Sequence, residues 1–313
     1  FSLRAPSRIS YINGMENPHQ AGFVALVGLP NAGKSTLQNA LVKFPVSIVS
    51  PKPQTTRHRI LGILNGTDYQ LCLMDTPGWL DKAADKLQLA LLRAARAAAA
   101  QDADLLLLVV EARLPEPEEA ARLAALAARG TPVILAVNKC DLVKDPAALE
   151  RIAAAYSAAV SPVATHRVSA LKGAGLPALL ESLLKRLPES PPFYDKEQLS
   201  DRWERFFAAE LIRSEIFALY HEEIPHACAV VIETFKEKAG RPDHIDATVF
   251  VEKPTQKAIL LGKGGKAIRA LRERSTAAIR NFTGRGTELE LWIKVRKNWR
   301  QDPEAVREFG YAP

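Results

Sequence analysis

The octapeptide Gly28-Leu29-Pro30-Asn31-Ala32-Gly33-Lys34-Ser35 constrains this chain more than any other stretch. It fits GxxxxGK[ST], follows the strand-like run "FVALV" and opens a helical pattern, the context a phosphate-binding loop requires. Gly28 and Gly33 allow backbone shapes in which successive N–H groups point at one anion. The helix that starts near Lys34 adds its positive N-terminal end. Lys34 can neutralise β- and γ-phosphates, and the Ser35 hydroxyl can reach Mg²⁺. Asn31, Ala32 and Thr36 complete the candidate cradle. The alternative is a structural turn that merely fits the pattern.

Three later segments argue against that alternative. "DTPG" (Asp75 to Gly78) ends the apolar run "YQLCLM". An Asp there can hold Mg²⁺, usually through water, and the Gly78 N–H can approach a γ-phosphate. "NKCD" (Asn138 to Asp141) ends "VILAV". The Asp141 carboxylate can accept both N1–H and the exocyclic amine of guanine, a donor pair that adenine lacks, with Asn138 and Lys139 beside it. "SALKG" begins at Ser169, where the backbone at Ser169 and Ala170 can meet the guanine O6. In an α/β sheet the ligand crevice lies at the carboxyl ends of the strands, and all four motifs fall at such ends. The expected ligands are GTP or GDP with Mg²⁺, the metal set being Ser35, Thr56 and Asp75.

A switch needs a part that senses the γ-phosphate. "PKPQTTRHRI" lies between the loop's helix and the next strand, and its Thr55 or Thr56 can coordinate Mg²⁺ when that phosphate is present; otherwise the segment is a basic, solvated loop. The candidate catalytic groups are Lys34, Thr56 and Gly78. Ras-like enzymes place a water-orienting Gln directly after the DxxG glycine, whereas this chain has Trp79. Catalytic help must come from elsewhere, or turnover is slow. Asn31 is one candidate, because its carbonyl can hold a potassium ion against the phosphates; the simpler reading is that it caps the turn.

The chain has 313 residues, which suggests two domains. Residues 1–20 read as a tail, 21–187 as a G domain, 188–200 as a Pro-rich linker and 201–313 as a second domain. Apolar runs alternating with helical patterns in the first predict an α/β fold, a mostly parallel sheet with helices on both faces. The second reads as a smaller α+β unit. The net charge is +7, yet residues 253–300 carry thirteen Lys/Arg against three Asp/Glu, so the positive charge is concentrated there. That segment contains Gly262-Lys263-Gly264-Gly265 between what reads as an apolar strand and a helix, the GXXG of a KH fold. Its glycines let backbone approach a nucleic-acid backbone, beside a groove for about four nucleotides. Lys263, Lys266 and Arg269 supply phosphate charge. Binding to single-stranded RNA, rather than DNA, should weaken steeply with salt.

"GLPNAGKST", "PQTTRHRI", "DTPG", "NKCD" and the basic second domain with "ELELWIKV" together resemble the Era family, within the TrmE–Era class of GTPases. The resemblance covers about residues 20–313. It implies a P-loop GTPase domain joined to a KH domain, with Thr56, directly before Arg57, as the switch threonine. It also implies a partner at the 3′ end of small-subunit rRNA within the pre-ribosomal small subunit, and a role in small ribosomal subunit assembly. Trp79 matches the class in being hydrophobic at the Gln position, although it is larger than usual. Leu29 stands where the family's loop carries Arg. Neither departure touches a phosphate-binding position. The competing readings are an RNA tether that binds GTP with negligible turnover, and another ribosome- or tRNA-associated GTPase, which would lack the GKGG module.

The remaining features are less specific. Cys72, Cys140 and Cys228 have no pairing pattern, so neither a disulfide framework nor a zinc site is expected. Trp292 and Trp299 flank basic residues; one can stack on a base, but alternation places Trp292 in the core. "PEPEEAARL" reads as a solvated helix start. A monomer is expected, and the basic charge leaves weak contact with a membrane surface open. The Ser/Arg-rich first residues suggest the remnant of an organelle transit segment. Chloroplast or mitochondrion is therefore the first expectation and bacterial cytoplasm the alternative.

Overall fold

The computed structural model describes residues 19–313 apart from 51, 53, 54, 78–84, 102, 129, 238, 239, 312 and 313. Gly78 and Trp79, and the tail before residue 19, lie outside the described residues.

In the first unit, β1 (Gln20–Val27), α1 (Lys34–Val42), β2 (Ile60–Asn65), β3 (Tyr69–Asp75), α2 (Lys86–Gln101), β4 (Leu105–Glu111), α3 (Pro117–Ala127), β5 (Val133–Asn138), α4 (Pro146–Val160), β6 (Ala164–Arg167) and α5 (Leu176–Leu184) follow in order. The six strands pair as β2-β3-β1-β4-β5-β6. Only β2 is antiparallel, against β3. The order reverses at β1, which sets its carboxyl end beside those of β3 and β4. The central strands are continuous apolar runs because both of their faces are covered. Val24 and Leu26 join Leu37 and Leu41 of α1 and Leu179 and Leu183 of α5 on one face. Ala25 and Val27 join Leu123 of α3 and Ile152 and Tyr156 of α4 on the other. The helix start in "PEPEEAARL" is not wholly solvated. Glu119 is buried, 2.7 Å from Arg113, and accepts from the Tyr156 hydroxyl at 3.1 Å.

The proline-rich connection is strapped to the first sheet. The Pro188 carbonyl accepts from the Ala21 N–H, and the His19 carbonyl accepts from the Ser190 N–H. The buried Gln70 side chain receives the N–H groups of Phe193 and Tyr194 at 2.7 and 3.0 Å. At Gly22 a Cβ would come within 2.9 Å of the Pro188 ring, so the close pass of the strap requires glycine there.

The second unit comprises α6 (Glu204–Leu219), α7 (Ile224–Ala227), β7 (Ala229–Lys236), β8 (Asp243–Val251), α8 (Pro254–Leu261), α9 (Lys266–Thr283), β9 (Thr287–Val295) and α10 (Pro303–Glu308). The sheet order is β7-β8-β9, with β8 antiparallel to β7 and parallel to β9. Ile212 and Ile216 of α6, Leu260 of α8 and Leu271 and Ile279 of α9 pack against the inner residues of the sheet. Two sequence expectations change here. The apolar residues before GKGG form α8, a helix rather than a strand. A short apolar run does not distinguish the two by itself, but Pro254 suits a first helical turn, and the Gln256 side chain accepts from the N–H groups of Glu252 and Lys253, each at 3.0 Å. Trp292 is 59% exposed rather than in the core. The inward row of β9 is Leu289, Leu291 and Ile293, so the alternation sends Trp292 outward. Trp299 is fully buried, and its indole N–H donates to the Ala227 carbonyl at 2.9 Å.

The two units share a buried seam. Leu87 and Leu91 of α2 join Trp299, Val306, Phe309 and Tyr311 in one apolar cluster. His58 lies 5.0 Å from the Phe206 ring and 4.9 Å from the Tyr311 ring. Burial pushes the His58 imidazole down to about 4 from its ordinary 6.5, with Glu210 opposing the shift and Arg213, Arg202 and Arg57 adding to it. Between those two values the unfolded chain holds a proton that the folded chain does not, so stability falls as pH drops through the window. Chemical denaturation of wild type and His58→Phe at pH 7 and pH 4 should show wild type losing of the order of 3 kcal/mol more than the variant. Equal losses would mean that His58 is not held neutral in the seam.

Candidate nucleotide site and RNA-facing loop

A cavity of about 500 Å³ opens at the carboxyl ends of β1, β4 and β5. Its lining includes Asn31, Gly33, Lys34, Ser35, Thr36, Thr55 and Thr56 on one side, and Glu111, Asn138, Lys139, Asp141, Ser169 and Ala170 on the other. The size falls within the range of small-molecule sites. Three of the four motif segments, spread over more than 140 residues of sequence, therefore border one crevice, and Asp75 of the fourth is joined to it through the Ser35 hydroxyl. Ala32 is buried behind the loop.

The loop's shape follows from its glycines. Gly28 and Gly33 have φ of +146° and +91°, and Asn31 has φ of +64°. The Lys34 ammonium donates to the carbonyls of Gly28 at 3.1 Å and Leu29 at 2.9 Å. Burial lowers the Lys34 pKa to about 8, with Asp75 opposing the shift. A phosphate set against this amine would favour its charged form, the form that binding requires.

Ser35, Thr56 and Asp75 meet at the loop's far end. The Ser35 hydroxyl donates to Asp75 Oδ2 at 2.6 Å and lies 3.0 Å from the Thr56 hydroxyl oxygen. Asp75 is buried, which raises its pKa, while Lys34 and the Ser35 hydrogen bond oppose the rise. Its Oδ1 is buried and accepts no hydrogen bond. Two hydroxyls and a carboxylate with an unsatisfied oxygen form an all-oxygen donor set, the kind a hard cation such as Mg²⁺ takes. Thr76, next along, donates its hydroxyl to the Leu26 carbonyl at 2.9 Å and ties the end of β3 to β1.

The base side is organised by Asn138. Its side-chain amide donates to the Ala32 carbonyl at 2.9 Å, and its side-chain oxygen accepts the Ala170 N–H at 3.0 Å. One residue thus joins the phosphate loop to the Ser169 loop. Ser169 is buried, and its hydroxyl accepts the Lys172 N–H at 3.1 Å. Asp141 is exposed, in the turn Cys140–Leu142, with its carboxylate available to a base. Lys139 has φ of +63° and forms an ion pair with Glu111 at the end of β4. Sequence reasoning passed over Glu111, although its place at the carboxyl end of a central strand marks it as facing the crevice.

The GKGG turn lies between α8 and α9 in the second unit. Gly262 has φ of +69°, and a Cβ there would lie 2.6 Å from the Ala267 Cβ. Gly264 and Gly265 have φ of +61° and +74°, and an added Cβ would meet open space. Packing requires the first glycine; backbone conformation requires the other two, whose outer side stays bare. Lys263, Lys266 and Arg269 are all exposed around this turn and along the start of α9. The N-cap of α9 is Gly265, which has no side chain to cover the first N–H groups, so they can face a phosphate.

A Cβ at Gly33 would lie 2.3 Å from the Asn138 amide nitrogen, at a φ that L residues avoid. Gly33→Ala should therefore disturb the phosphate loop and the Asn138 tether together and weaken guanine-nucleotide binding at least about ten-fold by fluorescence titration. Gly264→Ala, whose Cβ meets nothing, should leave that affinity unchanged.

The sequence matches the family described as "50S ribosome-binding GTPase" over residues 23–139 and "KH domain" over residues 223–300. It is 41% identical to GTPase Era of Xanthomonas axonopodis pv. citri (strain 306), across 94% of this chain and 98% of that protein. Against GTPase Era of Stenotrophomonas maltophilia (strain K279a) the identity is 40%, across 95% and 99% of the two chains. Among solved structures, a point variant of Aquifex aeolicus Era bound to GDP·AlF4⁻ superposes with a TM-score of 0.89 at 33% identity, covering 94% of this chain and all of that one. The same values hold for Era in complex with MgGDPNP and nucleotides 1506–1542 of 16S ribosomal RNA. With the P-loop, the guanine motifs and the KH turn in one continuous match, the chain belongs to the Era family of GTPases.

Proposed function

We propose that this GTPase grips small-subunit rRNA near its 3′ end through the GKGG turn and the face of α9, and that GTP binding and hydrolysis time its stay on the pre-ribosomal small subunit. The observation that carries the reading is one chain holding both a nucleotide crevice with the guanine motifs and a basic GXXG turn. An Era solved with a 16S rRNA segment matches it along nearly its whole length. This reading takes the protein as a monomer that meets RNA rather than DNA. Among the described residues no helix is long and apolar enough to cross a membrane. The compartment we propose is an organelle or the bacterial cytoplasm.

The chemistry is attack of water on the γ-phosphate. Backbone N–H groups of residues 31 to 36 would hold the phosphates. Lys34 would exchange its two loop carbonyls for phosphate oxygens and carry charge at the breaking bond. Ser35, Thr56 and Asp75 would hold Mg²⁺, which when bound neutralises charge developing on the phosphates. Asp141 would read guanine, with the Ala170 backbone, fixed by Asn138, near O6. Asn31, in the left-handed region at the crevice wall, is the side chain we assign to a potassium ion.

Asp141→Asn should shift base preference from guanine towards xanthine; unchanged GTP affinity would refute the role given to Asp141. Steady-state hydrolysis measured with and without potassium and an rRNA 3′-end oligonucleotide should rise when both are added. If no condition raises turnover above background, the timing role fails and a GTP-regulated tether remains.

A further inference from the structure

Two cations of the segment 52–57 reach across the seam into the second domain. The Lys52 ammonium donates to the carbonyls of Phe217 and Tyr220 at the C-terminal end of α6, where the helix presents its negative end. The Arg57 guanidinium donates to the carbonyls of Cys228 at 2.7 Å, His226 at 2.8 Å and Pro225 at 3.3 Å, all around α7. Its carbon lies 5.5 Å from the Tyr311 ring centre. Arg57 is 3% exposed. Among the described residues it has no carboxylate within ion-pair distance.

Burying a charge with no opposite charge beside it is costly. Charge-assisted bonds to three carbonyls offset that cost only if the guanidinium stays in place. Arg57 therefore fixes its own backbone, and Thr56 is the preceding residue, with its Cα one peptide unit away. From the other side, the Thr55 hydroxyl donates to the Lys52 carbonyl at 2.7 Å. Between these two anchors the Thr56 hydroxyl stands 3.0 Å from Ser35 and completes the oxygen set with Asp75. Where γ-phosphate and metal contacts alone order a switch segment, ligand binding must meet the whole ordering cost. Here backbone carbonyls of the KH domain share it.

We infer that Arg57 is a positioning residue: by binding the carbonyls around α7 it places Thr56 for the metal of the GTP complex, so that the KH domain acts as an internal organiser of the switch. The inference rests on the assignment of Thr56 to the Mg²⁺ set. GDP, which does not engage Thr56, should be indifferent to the clamp. Reciprocally, a partner that pulls on α7 would change how well the chain distinguishes GTP from GDP.

The test uses the full chain and fluorescent forms of GDP and a non-hydrolysable GTP analogue, titrated with and without Mg²⁺. Arg57→Ala should weaken Mg²⁺-dependent binding of the GTP analogue about ten-fold, a usual size for coupling between sites, while GDP affinity moves less than about two-fold. Arg57→Lys, which cannot span three carbonyls, should fall between wild type and Arg57→Ala. Thr56→Ala should lose the same Mg²⁺-dependent gain, and Thr56→Ala/Arg57→Ala should lose no more than Thr56→Ala alone. Thermal unfolding confirms that each variant is folded, and Lys52→Met, which removes the ammonium bonded to the α6 carbonyls, gives an independent reading with the same expected direction. If folded Arg57→Ala binds the GTP analogue as wild type does, or loses GDP affinity in parallel, while Thr56→Ala loses the gain, the positioning role is overturned and the metal assignment stands. If Thr56→Ala keeps the full gain, the metal assignment itself falls, and the inference with it.

Discussion

The structure depends on burying opposite charges at the carboxyl end of one sheet without fully satisfying them. Lys34 and Asp75 are both buried there. Burial pushes the ammonium towards losing its proton and the carboxylate towards gaining one, and each opposes the shift in the other. Lys34 has two loop carbonyls and Asp75 has the Ser35 hydroxyl, but one carboxylate oxygen accepts nothing. Phosphates would supply the counter-charge for the amine, and a hard cation would supply the partner for the oxygen. Under the proposed assignment a nucleotide with its metal would be bound by groups whose own surroundings are incomplete, which favours binding over mere shape filling.

The rest of the first domain holds these groups in register. Parallel pairing aligns the ends of β1, β3, β4 and β5, and Asn138 locks the phosphate loop to the base loop. The second domain packs on several parts of the first, including Phe44, which lies 5.1 Å from Phe282, and the segment around Arg57 and His58. His58 sits between Phe206 and Tyr311, and α2 shares an apolar cluster with Trp299 and Phe309. The segments before and after the DTPG motif thus both touch the RNA-binding domain, and a change at either is felt in the packing between domains.

Much of the site was legible because its motifs carry their chemistry in short spacings. GLPNAGKS, DTPG, NKCD and SALKG each state a local backbone demand, and the parallel-sheet rule places strand ends together. The alternation of β9 was legible too, but not its direction: Trp292 and Leu291 both suit a strand, and only the packing of α9 decides which one is buried. The run before GKGG suits a strand as well as a helix, since four apolar residues fit either element, and the Gln256 bonds that start α8 depend on side-chain geometry. Arg57 and Lys52 lie in "PKPQTTRHRI", which the sequence offers as a switch segment or a basic, solvated loop, with no sign of a contact to the second domain. Their partners are backbone carbonyls in α6 and around α7, some 165 residues away, and a carbonyl leaves no mark in a sequence.

If GTP times the stay on RNA, the nucleotide state sets the strength of the RNA grip. The direct measurement is the affinity of the full chain for an rRNA 3′-end oligonucleotide, at fixed salt, with saturating Mg²⁺ and either a non-hydrolysable GTP analogue or GDP. RNA should bind more tightly with the GTP analogue and, by linkage, the analogue should gain an equal affinity when RNA is present. Equal RNA affinity in the two nucleotide states would show that the nucleotide does not set the grip.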